Sequence, residues 1–363
     1  MDDFKQEGIK KIYKMSVILI TGSCGLVGSE SVKFFVSKGF DVVGIDNNSR
    51  YQFFGKDGDT NWIKKNLIKK YKKYIHKSID IRNYSTLEKI FKKYKNSIKL
   101  IIHSAAQPSH DWAKKKPFVD FNINALGTLN LLNLTKKYAY NAPFIFLSTN
   151  KVYGDNPNYL PLKELNTRWE ISKKHKYFRG IDESMSLDNC VHSFFGVSKC
   201  YADLLVQEYG KNEGLKTVCF RAGCITGPNH SGAKLHGFLS YLVKSCLVKK
   251  KYTIIGYKGK QVRDNLHSID LVNCFWEFYK NPKKGEVYNI GGGRYSNCSV
   301  LEALNLVEKI ANIKIQRQII KTPRVGDHIW YVSNLSKFKK HYPKWKQKYN
   351  TKKIIEELIE YKI

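Results

Sequence analysis

The chain is short of acid. Of its 363 residues 31 are Asp or Glu against 63 Lys or Arg, a formal net charge of +32. It is short of arginine as well: nine of the 63 basic residues are Arg and the rest Lys. A protein that reads nucleic acid draws on Arg for bidentate and stacking contacts, and the lysines here are spread along the chain, on stretches such as Lys64–Lys73 and in the tail. The charge therefore describes a solvated lysine-rich surface, with salt-sensitive binding of polyanions as a side effect, and no specific nucleic-acid partner is expected. No apolar run reaches the ~20 residues that a membrane span needs. The first fourteen residues are polar, without the apolar centre of a secretory signal. They are expected to be an extension without structural role, or Met15 is a second start. Eight cysteines show no C-x-x-C and no Cys/His spacing suited to zinc. They read as reduced thiols in a cytoplasm, and no metal is expected. Internal repeats and low-complexity linkers are absent too.

What is present is alternation. SVILITG (16–22) is an apolar run of strand length, followed by a helix over about 25–37 and the strand DVVGIDN (41–47). Strand character returns near 74–81, at IKLIIHSAA (98–106), APFIFLST (142–149) and, as a sixth strand, KTVCFRAG (216–223), with a helix near 125–137. Near-continuous apolar strands between amphipathic helices predict a Rossmann-like, doubly wound parallel sheet covered on both faces. Beyond Gly227 the pattern is mixed, with a helix near 239–248, short strands YTIIG and EVYNIGG, and helices near 299–311 and 351–360. The expected organisation is an extension (1–14), a dinucleotide-binding domain (15–226) and a smaller mixed α/β substrate domain (227–363), with some strand or helix exchange between the two domains.

Gly22, Gly25 and Gly28 form G-x-x-G-x-x-G between the first strand and the first helix. Glycine there permits a tight turn and close approach of the backbone to a pyrophosphate. The helix start, with Leu26 and Val27, offers unpaired N–H groups. Asp46 ends the second strand 18 residues after Gly28, followed by Asn47. A carboxylate there accepts from both adenosine ribose hydroxyls and repels a 2′-phosphate, so NAD is expected over NADP. Arg50 nearby softens that choice.

Two further segments carry chemistry, STNKVYGD (148–155) and SFFGVSK (193–199). Residues 195 and 199 are four apart and share a helix face. Together these segments resemble the serine/threonine and Tyr-x-x-x-Lys active-site segments of the extended short-chain dehydrogenases/reductases, the NAD-dependent epimerase/dehydratase family. The resemblance covers about 15–360. It implies that Thr149 hydrogen-bonds the hydroxyl or carbonyl being interconverted, and that Lys199 binds the nicotinamide ribose and raises the local positive potential. It also implies that Asp80 and Ile81 flank the adenine, and that Ala105, Ala106 and Asn124 fall in the family's cofactor-side segments. In the family a phenol at position 195 exchanges the proton; here the residue is Phe195. The replacement candidates are Tyr153, Lys151, Lys199, Asp182, Glu183, His192, His103 and His110, and the sequence does not rank them.

On the substrate side, Arg221 ends the sixth strand, Arg263 lies in GKQVRD and Arg324 in RVGDH. Guanidinium forks match phosphate oxygens bidentately, and by the same resemblance the last two grip the diphosphate of a nucleoside-diphosphate sugar. Tyr252 is expected to line the nucleobase pocket, and the GPNHSG loop (227–232), with Asn229 and His230, and His236 to surround base or sugar. STNK, GKQVRD and NIGGG with R-x-G-D are similar to a narrower branch, the CDP-sugar 2-epimerases; Cys224 departs from the polar residue some relatives place there. The expectation is an NAD-dependent epimerase of a nucleoside-diphosphate sugar, CDP-linked, in a homo-oligomer. The alternatives are 4-epimerisation, dehydration or net oxidoreduction on the same fold, or, because of Phe195, a protein that holds NAD or a nucleotide sugar without turnover.

Overall fold

The computed structural model describes residues 15–230, 237–324 and 326–361. The expected extension (1–14), residues 231 and 232 of the GPNHSG loop, and His236 lie outside the described residues.

Seven strands pair in parallel: β1 (Val17–Thr21), β2 (Asp41–Ile45), β3 (Tyr74–Lys77), β4 (Ile98–His103), β5 (Phe144–Thr149), β6 (Thr217–Ala222) and β7 (Glu286–Ile290). Their order in the sheet is β7-β6-β5-β4-β1-β2-β3. The order reverses direction at β1, which puts a crevice beyond the carboxyl ends of β1 and β4, where a doubly wound sheet binds its ligand. Successive side chains of a strand point to opposite faces, so each central strand feeds two cores. Ile18 and Ile20 join one apolar cluster with Val218 and Phe220, while Val17 and Leu19 join the other with Phe144 and Phe146. This two-sided burial is why the strands read as unbroken apolar runs.

Helix α1 (Leu26–Ser37) leaves the glycine turn, with Gly25 as its N-cap. Helix α2 (Phe194–Lys211) begins at Ser193, whose hydroxyl accepts from the Gly196 N–H at 3.1 Å. Helix α3 (Ser268–Lys280) packs against α1, and β7 pairs with β6. Both lie in the stretch of sequence assigned to the substrate domain, so the chain crosses back to complete the large sheet.

The remaining elements form a smaller mixed body. Strand Val262–His267 pairs in parallel with Cys224–Thr226 and Trp330–Tyr331 and antiparallel with Asn297–Ser299. Tyr252–Ile255 pairs with Arg317–Ile320. Helices Phe238–Leu247, Val300–Ala311 and Thr351–Glu360 enclose a separate apolar cluster around Leu242, Leu304 and Ile355. Among the described residues no helix is long and apolar enough to cross a membrane.

Candidate active site

One continuous cleft of about 500 Å³ opens between the carboxyl ends of the large sheet and the smaller body. At one end lies the glycine turn. Gly22 has φ +69°, and a Cβ there would stand 2.7 Å from Ala105 N; a Cβ on Gly28 would collide with Gly22 O. The cradle therefore exists only because these side chains are missing, leaving backbone at the surface where a pyrophosphate fits. Gly25, Leu26 and Val27 line it. Asp46 stands opposite, its carboxylate accepting from Cys24 N at 3.0 Å and Asn48 N at 2.8 Å. Two backbone donors fix its orientation and leave further lone pairs for ribose hydroxyls. Asn47, Asp80, Ile81, Ala105 and Ala106 line the same end. Asp80 is tied to Arg82 at 2.7 Å and to Asn47 at 3.1 Å. The donor set and the cradle fit NAD.

Asn124 does not reach the cleft. It is buried, bonds both the backbone N and O of Gln107, and donates to Ser198 Oγ at 3.0 Å. It ties the β4 loop to α2, an organising contact one step removed from the cofactor.

In the middle of the cleft lie Thr149, Phe195 and Lys199. Thr149 Oγ1 accepts from Lys151 N at 3.2 Å, so the hydroxyl is anchored at the strand end. Lys199 lies one turn along α2 from Phe195. Its Nζ donates to Leu147 O at 2.8 Å and rests 4.0 Å from the Phe146 ring centroid. Burial lowers its pKa to about 7, against the opposing charges of Asp203 and Asp120. The Phe195 ring sits 4.9 Å from that of His110.

The eight candidate proton carriers separate cleanly. Tyr153 is fully buried away from the cleft, its hydroxyl donating to Asn289 Oδ1 at 2.8 Å and accepting from Arg221. Burial pushes its pKa up to about 12 despite the Arg221 charge. The expectation of a catalytic Tyr153 is corrected: the 3-10 turn after β5 points its ring into the protein. His103 is locked between Thr21 and Thr128 at 2.8 and 2.9 Å, and burial drives its pKa far down. Glu183 accepts from Asn289 N, Asp182 caps Ser184, and His192 bonds Leu187 O; none of the three lines the cleft. Lys151, His110 and Lys199 do.

Arg221 is corrected likewise. Strand alternation sends Ala222 to the cleft and Arg221 to the α2 side, where it pairs with Asp203. Arg263, Arg324 and Tyr252 line the cleft on the side of the smaller body, while Asn229 and His230 line it beside α1 and Arg50. Arg263 Nη2 bonds Asp327, whose carboxyl, despite burial, is held below its usual range by Arg263 and Lys151. Burial lowers His230 to about 3. Sequence reasoning missed Asp327 as a partner of Arg263, and missed Tyr241 and Gln261 on the wall beside Tyr252. The Asp in R-x-G-D was the available signal for the first; nothing local marks the other two.

The profile of the NAD dependent epimerase/dehydratase family matches residues 18–291. The chain is 33% identical to the CDP-paratose 2-epimerase of Salmonella typhi over 327 residues, 88% of this chain and 91% of that protein. It is 26% identical to a putative UDP-glucose 4-epimerase of Methanocaldococcus jannaschii, over 86% of this chain and 87% of that one. Among solved structures, the UDP-glucose 4-epimerase of Thermus thermophilus in complex with NAD superposes with a TM-score of 0.75 at 22% identity, covering 95% of this chain and 98% of that chain. That likeness shows the fold.

Proposed function

Since the chain belongs to the NAD dependent epimerase/dehydratase family and its cofactor is NAD, we propose that it epimerises a nucleoside-diphosphate sugar, a CDP-sugar, at C2, in the manner of a CDP-paratose (CDP-tyvelose) 2-epimerase. One observation carries this reading. A single cleft runs from the Asp46 end, past Thr149 and Lys199, to Arg263 and Arg324. The distance between a dinucleotide site and a diphosphate site is thus spanned by the groups that act on a hydroxyl. The Salmonella typhi relative supports the sugar and the carbon. The Methanocaldococcus relative supports a second reading, 4-epimerisation of a UDP-sugar.

NAD, held by the glycine turn and Asp46, would supply a reversible hydride acceptor. Thr149 Oγ1 holds the reacting oxygen, as hydroxyl and as carbonyl, because a hydroxyl both donates and accepts. Lys199 orients the nicotinamide ribose. Arg263 and Arg324 hold the diphosphate while the keto sugar turns over between them and the sheet. Tyr252 packs on the base. The segment from 227 onward acts as the substrate-binding part, with β7 and α3 returned to the cofactor part. Eight free thiols support work in the cytoplasm.

We further propose a homodimer formed through α2. Phe194, Val197, Tyr201 and Leu204 recur at 3, 4 and 3 residues along one exposed helix face, beside exposed Phe118 and Phe121. A stripe of this period seats a helix of a second copy.

The test is mass spectrometry of the ligand released from purified protein, then incubation with CDP-, UDP-, GDP- and dTDP-sugars. Released NAD and epimerisation of a CDP-sugar are expected. Turnover of UDP-sugars alone selects the second reading, and no turnover on the whole panel ends both.

A further inference from the structure

Position 195 carries no phenol, and the proposed reaction deprotonates a sugar hydroxyl, so the proton must leave by another group. Lys199, His110, Cys224, Asp327 and Lys151 all line the cleft with Thr149 and Phe195. Lys199 Nζ lies one turn deeper than position 195, in a residue only 4% exposed, where it donates to Leu147 O and rests against the fully buried Phe146 ring. Burial takes His110 down to about 3 and Cys224 up to about 11, so neither exchanges a proton near neutral pH. Asp327 is bonded to Arg263 and held ionised.

Lys151 differs in its placement. Its N–H is capped by the Thr149 hydroxyl at 3.2 Å. Its carbonyl abuts α2 beside Phe195, since a Cβ on Gly196 would stand 3.0 Å from Lys151 O. Its side chain then crosses to the opposite wall, where Nζ donates to Gly326 O at 2.8 Å. Gly326, at φ +74°, lies against His110, itself packed on Phe195. The amine is therefore carried by the turn that bears Thr149 and lies over the wall that bears Phe195. It is only partly accessible, through the cleft.

We propose that Lys151 is the proton carrier of this site, acting in place of the phenol missing from position 195. As the two electrons of the sugar C–H bond leave with the hydride for NAD+, the neutral amine takes the hydroxyl proton. One O–H bond breaks, one N–H bond forms, and the C–O bond becomes C=O. When the hydride returns to the other face, the ammonium gives the proton back, and both lysine and cofactor are restored. The surroundings suit the role. Burial lowers Lys151 to about 8, with Asp327 opposing, Arg263 reinforcing and Cys224 opposing; His110 and His328 face it in neutral form.

This inference rests on the epimerase reading, and the experiment separates the two. The NAD-loaded protein, Lys151→Arg and Lys151→Arg/Phe195→Tyr are compared on CDP-paratose and CDP-tyvelose across about pH 6 to 10, with CDP affinity measured by calorimetry. Arginine keeps the charge and a donor for Gly326 O but does not give up its proton. Lys151→Arg is expected to hold CDP within about threefold and to lose kcat by about 10²–10⁴-fold. The unmutated protein should show a rising limb near pH 8, because the amine must be neutral. The double variant should regain at least about tenfold, with the limb moved, because a phenol beside Lys199 restores a base. Independently of turnover, reductive methylation of Lys151 in the unmutated protein, followed by mass spectrometry, should reach half its rate near pH 8. Lys151→Arg with kcat and limb unchanged, or half-methylation only above about pH 10, overturns the proposal and leaves the epimerase reading standing. An unmutated protein that turns over neither sugar overturns both.

Discussion

Arg221 and Asp203 meet in a two-pronged ion pair inside the protein: Nε to Oδ2 at 3.1 Å and Nη2 to Oδ1 at 2.8 Å, with side chains 5% and 0% exposed. The same carboxylate accepts from Ser148 Oγ at 2.5 Å, and Arg221 also donates to Tyr153. The pair clamps β5, β6 and α2 beneath Thr149 and Lys199.

Removing one partner leaves a buried charge alone, which costs about 3–5 kcal/mol. Arg221→Met is therefore expected to lower unfolding free energy by that amount in urea titrations, while Arg221→Met/Asp203→Asn recovers much of it. Affinity for a nucleotide sugar should barely change. A large loss of that affinity in a folded Arg221→Met protein would return Arg221 to the substrate site.

Asp46→Ala should weaken NAD binding by roughly tenfold or more, the worth of a charged hydrogen bond at about 1.5–3 kcal/mol, and should relax the preference against NADP. Calorimetry with both cofactors checks it. Equal affinities in the unmutated protein would remove Asp46 as the selecting group.

Arg263→Ala and Arg324→Ala should each cost about 1.5–3 kcal/mol of nucleotide-sugar binding and leave NAD affinity near its starting value. In Arg263→Ala the loss includes Asp327 left without its guanidinium. If either change spares sugar-nucleotide affinity, that arginine does not hold the diphosphate.

Lys199 gives a stability prediction with a definite sign. Its folded pKa is lowered to about 7, chiefly by burial, against about 10.4 unfolded. Between these values the unfolded chain binds the extra proton, so stability rises with pH through the window. Below about 7 the burial penalty is fully present. Lys199→Met should lack this rise, so in the cofactor-free protein the two unfolding curves should draw apart between pH 7 and pH 10. Parallel curves would mean that the ammonium is solvated.

Leu204→Lys on the exposed face of α2 should shift sedimentation from dimer to monomer without loss of NAD binding, since a charge in an apolar helix seam opposes association. A monomeric unmutated protein at micromolar concentration would end the homodimer reading.

The sequence by itself determined the parallel sheet, because strands buried on both faces must be apolar throughout. It also marked the proposed cofactor end, because a backbone cradle demands glycine at fixed spacing and Asp46 follows the second strand. It marked Thr149, Lys199, Arg263 and Arg324, which all line the cleft, because each stands in a short recognisable segment. What only the tertiary structure decided is where side chains point after an element ends. Arg221 and Tyr153 carry the right chemistry on the right segments, yet alternation along β6 and the turn after β5 send both inward to Asp203 and Asn289. Lys151 was one candidate of eight until Gly326, 175 residues away, drew its amine across the cleft. The return of β7 to the large sheet was equally unreadable in detail. A strand's apolar pattern records that it is buried, and its neighbour is chosen by the packing of the whole chain.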